Sequence, residues 1–381
     1  MGKGGQNIVS KESSSSSLQS QSSSSSSLQS QSSSSSAAAK SNALIRKEDD
    51  FYLVSEQQWH LKRGRAILKQ HPEVSQLMGY DPRMKYKVLL GFLLQFLSLE
   101  LLHTGVNDKH HAASWWTWFI CCYTLGGMVT GSMALALHEL SHNLASKSRT
   151  WNRVIAMMAN ATLGIPAAAT FKRYHSEHHK FLGEHTVDVD IPTYMEGRVF
   201  GSSSLGKAVW LLLQPIWYGL RPIVINTKDP NSYEIINIFV ITIIDALVYW
   251  RYGIQGLLYL LLSTILGMQW HPVAAHFVAE HYVFQDGQET YSYYGPFNWI
   301  GFNVGYHIEH HDLPFVASSR LPTLRRIAYS FYDHPHYHSW VKVLWDFVLD
   351  PSLSPFARMK RHELSPTELK ELKSRGGLSS K

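Results

Sequence analysis

Four stretches of this chain are long and apolar enough to span a bilayer: Val88–Thr104, Trp115–Leu137, Ile235–Trp250 and Ile254–Ala275. A spanning helix needs ~20 largely apolar residues. The first stretch carries one charge, Glu100, and the third carries one, Asp245. Tryptophans at 115, 116, 118, 250 and 270 flank the stretches, and such rings favour the membrane interface. The mean hydropathy of −0.15 suggests a soluble chain instead. It misleads, because a polar head dilutes the apolar blocks: 18 of the 24 residues from Ser13 to Ser36 are serine.

Basic residues set the orientation. Lys62, Arg63, Arg65, Lys69, Arg83, Lys85 and Lys87 precede the first stretch, and only Lys109 separates it from the second. Basic residues from Lys147 to Lys228 fill the next interval, only Arg251 separates the last two stretches, and Arg320, Arg325, Arg326 and others follow. The alternation predicts two helical hairpins with both termini cytosolic. It also gives the net charge of +6 a membrane explanation, and no basic patch interleaved with aromatics argues for nucleic acid.

The remaining segments are bounded by composition. Residues 1–48 cannot bury a core and read as a disordered Ser-rich tail. They are not a secretory signal, lacking a charged start and an apolar centre. Gly2 suggests myristoylation, but Gln6 stands where that motif requires Ser or Thr. Residues 49–87 form an N-terminal segment, 88–365 the main domain, and 366–381 a polar C-terminal tail. The only cysteines, Cys121 and Cys122, are adjacent, so a disulfide framework is ruled out. Two further apolar stretches, Val154–Phe171 and Ala208–Asn226, are interrupted by Gly164 and Pro166 and by Gln214, Pro215, Arg221 and Pro222. Both read as interfacial or re-entrant helices.

Three short segments concentrate histidine: H-E-L-S-H (His138, His142), H-S-E-H-H (His175, His178, His179) and H-I-E-H-H (His307, His310, His311). Spacings of three and four place imidazoles together on a helix face. Neutral imidazole is a common ligand for iron, zinc, copper or nickel. Eight histidines exceed the four ligands of one tetrahedral zinc and suit two metals. His281 is a ninth candidate and His276 a possible further one. All must meet on one side of the membrane, so neither interrupted stretch can cross once. Glu139, Glu177, Asp188, Asp190, Glu309 and Asp312 lie in or beside the boxes and are candidates to support the ligands from behind. No catalytic group is assigned beyond the ligands.

The boxes resemble the membrane fatty-acid desaturase and hydroxylase superfamily. F-K-R-Y-H-S-E-H-H-K-F-L-G (171–183), D-V-D-I-P (188–192), H-F-V-A-E-H-Y (276–282), E-T-Y-S-Y-Y-G-P (289–296) and F-N-V-G-Y-H-I-E-H-H-D-L-P (302–314) resemble the sphingolipid Δ4-desaturases, also called dihydroceramide desaturases. So do P-H-Y-H-S-W-V-K-V-L (335–344), S-P-F-A-R-M-K-R (354–361) and the N-terminal segment Trp59–Pro82. The resemblance covers roughly residues 50–365. Ile308 departs from it, standing where the family often has a polar residue.

The resemblance implies an all-α membrane protein: four transmembrane helices in two hairpins, interfacial helices, and a cytosolic helical cap carrying a di-iron site. It implies two iron ions and O2, electrons from NADH through cytochrome b5 reductase and cytochrome b5, and the endoplasmic reticulum membrane. It implies conversion of dihydroceramide to ceramide, with a trans double bond between carbons 4 and 5 of the long-chain base. The chemistry is consistent, because an unactivated CH2 is beyond side-chain acids and bases. The chain has no cytochrome b5-like haem segment and no G-x-G-x-x-G fingerprint after a strand, so donor and NADH belong to other proteins. Three alternatives remain. The same site could hydroxylate carbon 4. H-E-L-S-H could be a zinc-protease motif with Glu139 as base, which leaves two boxes unexplained. A metal transporter would normally place its ligands within the spans.

Overall fold

The computed structural model describes residues 50–54, 59–107 and 115–361, with isolated positions at 367, 370, 371 and 374. The Ser-rich head, Gly2 and nearly all of the C-terminal tail lie outside the described residues. The fold is almost wholly helical. Its only named strands among the described residues, Tyr52–Leu53 and Met359–Lys360, pair in parallel and tie the N-terminal segment to the end of the main domain.

Three helices are long and apolar enough to cross a membrane: Met84–Gly105, Trp115–Ser141 and Ser232–Gly267. The first shows why lipid is required. Leu90, Leu93, Leu97 and Leu101 form a stripe exposed by 54–63%, while Val88, Leu99 and Leu102 turn inward. A continuous leucine face of that size is stable against lipid and not against water. The second helix is central and contains a π-turn at Cys122–Gly126. Its glycines let backbones approach: a Cβ on Gly267 of the third helix would meet the Gly127 carbonyl oxygen at 2.8 Å.

The segment Ser232–Gly267 is two helices that meet at Gly253, whose φ is 64°; it holds the whole third apolar stretch and the fourth as far as Gly267. That left-handed backbone is cheap only for glycine. Asn237 Nδ2 donates to Asn160 Oδ1 at 2.8 Å, and Thr264 Oγ1 donates to the Leu163 carbonyl at 2.9 Å. A straight helix would set Asn237 and Thr264 ~40 Å apart at ~1.5 Å per residue. The chain therefore turns back at Gly253. The helix stops at Gly267, eight residues short of the expected Ala275, and Pro272 opens a separate short turn.

Both interrupted stretches are bent. Arg149–Asn160 and Ala168–Lys180 are separate helices. Asn160 staples their junction, accepting from the amides of Ala167 and Ala168 at 3.0 Å and donating to the Ile165 carbonyl at 2.6 Å. Ser204–Leu212 and Gln214–Ile225 meet at 75°.

The remaining chain is built of short elements. Short helices His276–Ala279, His307–Asp312, Leu321–Ile327 and Trp340–Leu349 are joined by turns. The N-terminal helix Trp59–Gln70 buries Ile67 with Ile308, Leu313 and Leu324. Contact there is tight, since a Cβ on Gly64 would meet the Asp312 carbonyl oxygen at 2.4 Å.

Candidate metal centre

Each histidine box rides on a helix end. His138 lies in the last turn of Trp115–Ser141, and His142 caps it. His175, His178 and His179 occupy the last turns of Ala168–Lys180, and the third box is the helix His307–Asp312. His281 follows His276–Ala279.

The imidazoles form two groups. In His138, His175, His179 and His310 the ring nitrogens lie within 4.8 Å of one another, and in His178, His281 and His311 they do so again. His142 joins the first group with its Nε2 2.9 Å from His175 Nε2. His307 joins the second with its Nε2 2.9 Å from His281 Nε2. The His179 and His311 rings stack at 4.1 Å, so the groups are neighbours. Helix geometry sorts the boxes. Positions i and i+4 differ by ~40° around the axis, whereas i+3 and i+4 differ by ~100°. His175 and His179 therefore serve the first group and His178 the second. His307 and His311 serve the second group and His310 the first.

The donor set fits a cation. His178 Nδ1 lies 2.9 Å from Asp188 Oδ1, and His281 Nδ1 lies 3.3 Å from Thr290 Oγ1. The two Nε2 atoms face each other at 3.1 Å. With both rings in the neutral Nδ1–H tautomer, both Nε2 lone pairs are aimed at one spot, an arrangement that suits a cation. Burial, followed by the neighbouring imidazoles, holds His175, His179, His281, His310 and His311 well below the ordinary histidine pKa. Burial and the nearby Lys172 bring His142 to about 3. Burial brings His307 to about 4 against the pull of Glu280. These are neutral imidazoles, the form that binds metal. His178 differs: burial disfavours its charge, but Asp188 outweighs burial and raises it.

The six acids are placed unevenly. Asp188 bonds His178 and also accepts from the Gly183 amide at 2.9 Å. Asp312 accepts from His60 Nδ1 at 2.7 Å and from Arg63 Nε at 2.6 Å. Glu139 Oε1 accepts from the Ser318 amide at 2.9 Å. Glu309 accepts from Ser292 and Tyr294, both at 2.7 Å, and burial raises it to about 7. Asp190 accepts from Tyr218 at 2.5 Å and Arg358 at 3.0 Å. Glu177 accepts from Asn226 and pairs with Lys228. His276 stands outside both groups, its Nδ1 3.4 Å from Glu280 Oε1.

Sequence reasoning overlooked His60, Thr290 and Glu280. Glu280 Oε1 lies 3.7 Å from His307 Nδ1. The resemblance of Trp59–Pro82 pointed at the right segment but named no residue in it.

Comparison with known proteins agrees with the geometry. A family model described as fatty acid desaturase matches residues 113–343, and one described as sphingolipid Delta4-desaturase (DES) matches residues 47–83. The sphingolipid delta(4)-desaturase/C4-monooxygenase DES2 of Bos taurus is 47% identical over 316 residues, 82% of this chain and 95% of that protein. The sphingolipid delta(4)-desaturase DES1 of Drosophila melanogaster is 45% identical, over 82% of this chain and 96% of its own length. DES1 of Homo sapiens is 44% identical, over 83% and 96%.

Proposed function

The chain belongs to the fatty acid desaturase family, and from its likeness to the sphingolipid Δ4-desaturases we propose that it converts dihydroceramide to ceramide. The reaction removes one hydrogen each from carbons 4 and 5 of the long-chain base. It consumes O2 and two electrons, which cytochrome b5 and its NADH reductase deliver. The observation that carries this reading is the facing of the His178 and His281 Nε2 atoms at 3.1 Å within two adjoining groups of imidazoles.

His138, His142, His175, His179 and His310 would hold one iron, and His178, His281, His307 and His311 the other. Bound iron supplies O2-dependent oxidation of an unactivated CH2. The protein supplies the rest. Helix ends hold the imidazoles, Asp188 fixes the ring of His178, and the buried surroundings keep water from the ligands. The leucine-lined helices lie against lipid, where both chains of the substrate reside.

The membrane arrangement follows from the same reading. Met84–Gly105 with Trp115–Ser141 forms one hairpin, and the two arms of Ser232–Gly267 form the other. The bent helix pairs lie at the interface, and the segment after Gly267 forms the cytosolic cap. Helix Trp59–Gln70 docks on the third-box helix His307–Asp312, both termini are cytosolic, and the compartment is the endoplasmic reticulum.

A second reading is favoured by one finding: the DES2 relatives of Bos taurus and Homo sapiens carry C4-monooxygenase in their names. Both outcomes begin with hydrogen removal and diverge afterwards.

Lipid mass spectrometry separates them. The chain is expressed in cells lacking their own sphingolipid Δ4-desaturase, and labelled dihydroceramide is supplied. Ceramide lighter by two hydrogens is the expected product. A product heavier by one oxygen would transfer the assignment to C4-hydroxylation. Neither product, from inserted and iron-loaded protein with cytochrome b5 present, would end the sphingolipid assignment.

A further inference from the structure

His60 sits on the N-terminal helix and is 4% exposed. It is 252 residues from Asp312 in sequence, yet its Nδ1 lies 2.7 Å from Asp312 Oδ1. Its Nε2 lies 2.9 Å from Thr290 Oγ1, and Thr290 Oγ1 lies 3.3 Å from His281 Nδ1. The chain of contacts runs unbroken from a carboxylate to a candidate ligand.

Neutral imidazoles give that chain one consistent direction, starting from the carboxylate. Asp312 is clamped by Arg63, whose Nε donates to Oδ2 at 2.6 Å and whose Nη2 donates to Oδ1 at 3.0 Å. A carboxylate so held only accepts, so His60 donates to it through Nδ1–H at 2.7 Å, with Arg63 Nη2 a longer 3.3 Å neighbour of the same nitrogen. A neutral imidazole has one N–H, so its Nε2 accepts, and the Thr290 hydroxyl is the donor. The Thr290 oxygen then accepts from His281 Nδ1–H. The lone pair of His281 Nε2 is left facing His178 and His307. His178 reaches the same state with one bond, directly to Asp188.

We propose that His60 and Thr290 are positioning residues that relay Asp312 to His281 and aim its Nε2 into the second histidine group. The N-terminal segment is thereby part of the metal centre and not only a packing element. Three features of the structure hold it there. Gly64 admits the Asp312 backbone, Ile67 packs on Ile308 and Leu313, and Arg63 grips the Asp312 carboxylate.

The relay rests on the two-iron reading above, and its test separates the two. Purified full-length protein is titrated with Fe(II), and bound metal is counted. Thr290→Val keeps the side-chain shape and removes only the hydroxyl, while Thr290→Ser keeps the hydroxyl. Wild type and Thr290→Ser should each bind two Fe(II) per chain. In Thr290→Val and His60→Ala one of the two should weaken ~10–100-fold while the other is unchanged, the usual scale for loss of an outer-shell partner. Wild-type affinity for both ions in Thr290→Val and His60→Ala overturns the relay and leaves the two-iron reading in place. Equal weakening of both ions also overturns the relay, because it reports general loosening. Wild-type protein that binds fewer than two Fe(II) overturns the two-iron reading and the relay with it.

Discussion

The two histidine groups have the same ligand type, and the first is slightly more open, with His142 and His179 half-buried; the larger difference is what stands behind the imidazoles. In the first group the rings face one another: Nε2 atoms of His142, His175, His179 and His310 follow at 2.9, 3.1 and 3.1 Å. Neither ring nitrogen of His138 has a hydrogen-bond partner among the described residues, and Phe171 stacks on His175. In the second group carboxylates lie behind three of the four rings. Asp188 bonds His178, Asp312 reaches His281 through two residues, and Glu280 lies 3.7 Å from His307 Nδ1. Outer partners of this kind raise the basicity of a ligand and fix its tautomer. The comparison teaches that two adjoining histidine groups can be built differently, the first from more imidazoles and the second from braced ones.

The largest expected effect tests the sorting itself. His178 and His179 are sequence neighbours assigned to opposite groups. His178→Ala and His179→Ala should each reduce turnover by ~1,000-fold or more, as loss of a catalytic metal does, while membrane insertion is retained. Iron counting should find that each loses a different metal, the braced one in His178→Ala and the unbraced one in His179→Ala. Full activity in His178→Ala would sink the assignment.

Asp188→Asn sharpens the comparison. It preserves shape and removes the carboxylate behind His178. The second-group metal should bind ~10–100-fold more weakly while the first stays put. Equal affinity before and after, measured by Fe(II) titration, would mean that bracing does not matter. The smallest effect is expected from His276→Ala. That ring lies outside both groups and touches the second only through Glu280, so two metals per chain should remain and turnover should fall by less than the ~10-fold expected for loss of a direct outer partner.

Much of this was legible in the sequence, and the residues show why. The boxes and His281 were readable because helical spacing brings i and i+4 together. The reading stopped at one shared face. The ~100° step between His178 and His179, which sends them to different histidine groups, requires the axial direction of each helix. Gly164 with Pro166, and Pro215, fall at the breaks, because these residues do not continue a helix cheaply, whereas Pro222 lies inside Gln214–Ile225 without ending it. The end of the last apolar stretch was placed too late, since apolarity runs on past Gly267 while the helix does not. The bracing was least legible. Of six candidate acids, Asp188 lies ten residues from its imidazole and could be guessed. His60 and Asp312, 252 residues apart, meet only through tertiary packing.

The most direct test of the central claim is anomalous scattering at the iron absorption edge from crystals of the iron-loaded protein. Two peaks are predicted. One should lie among His138, His175, His179 and His310, the other among His178, His281 and His311. A single peak, or a peak outside both groups, would contradict the account.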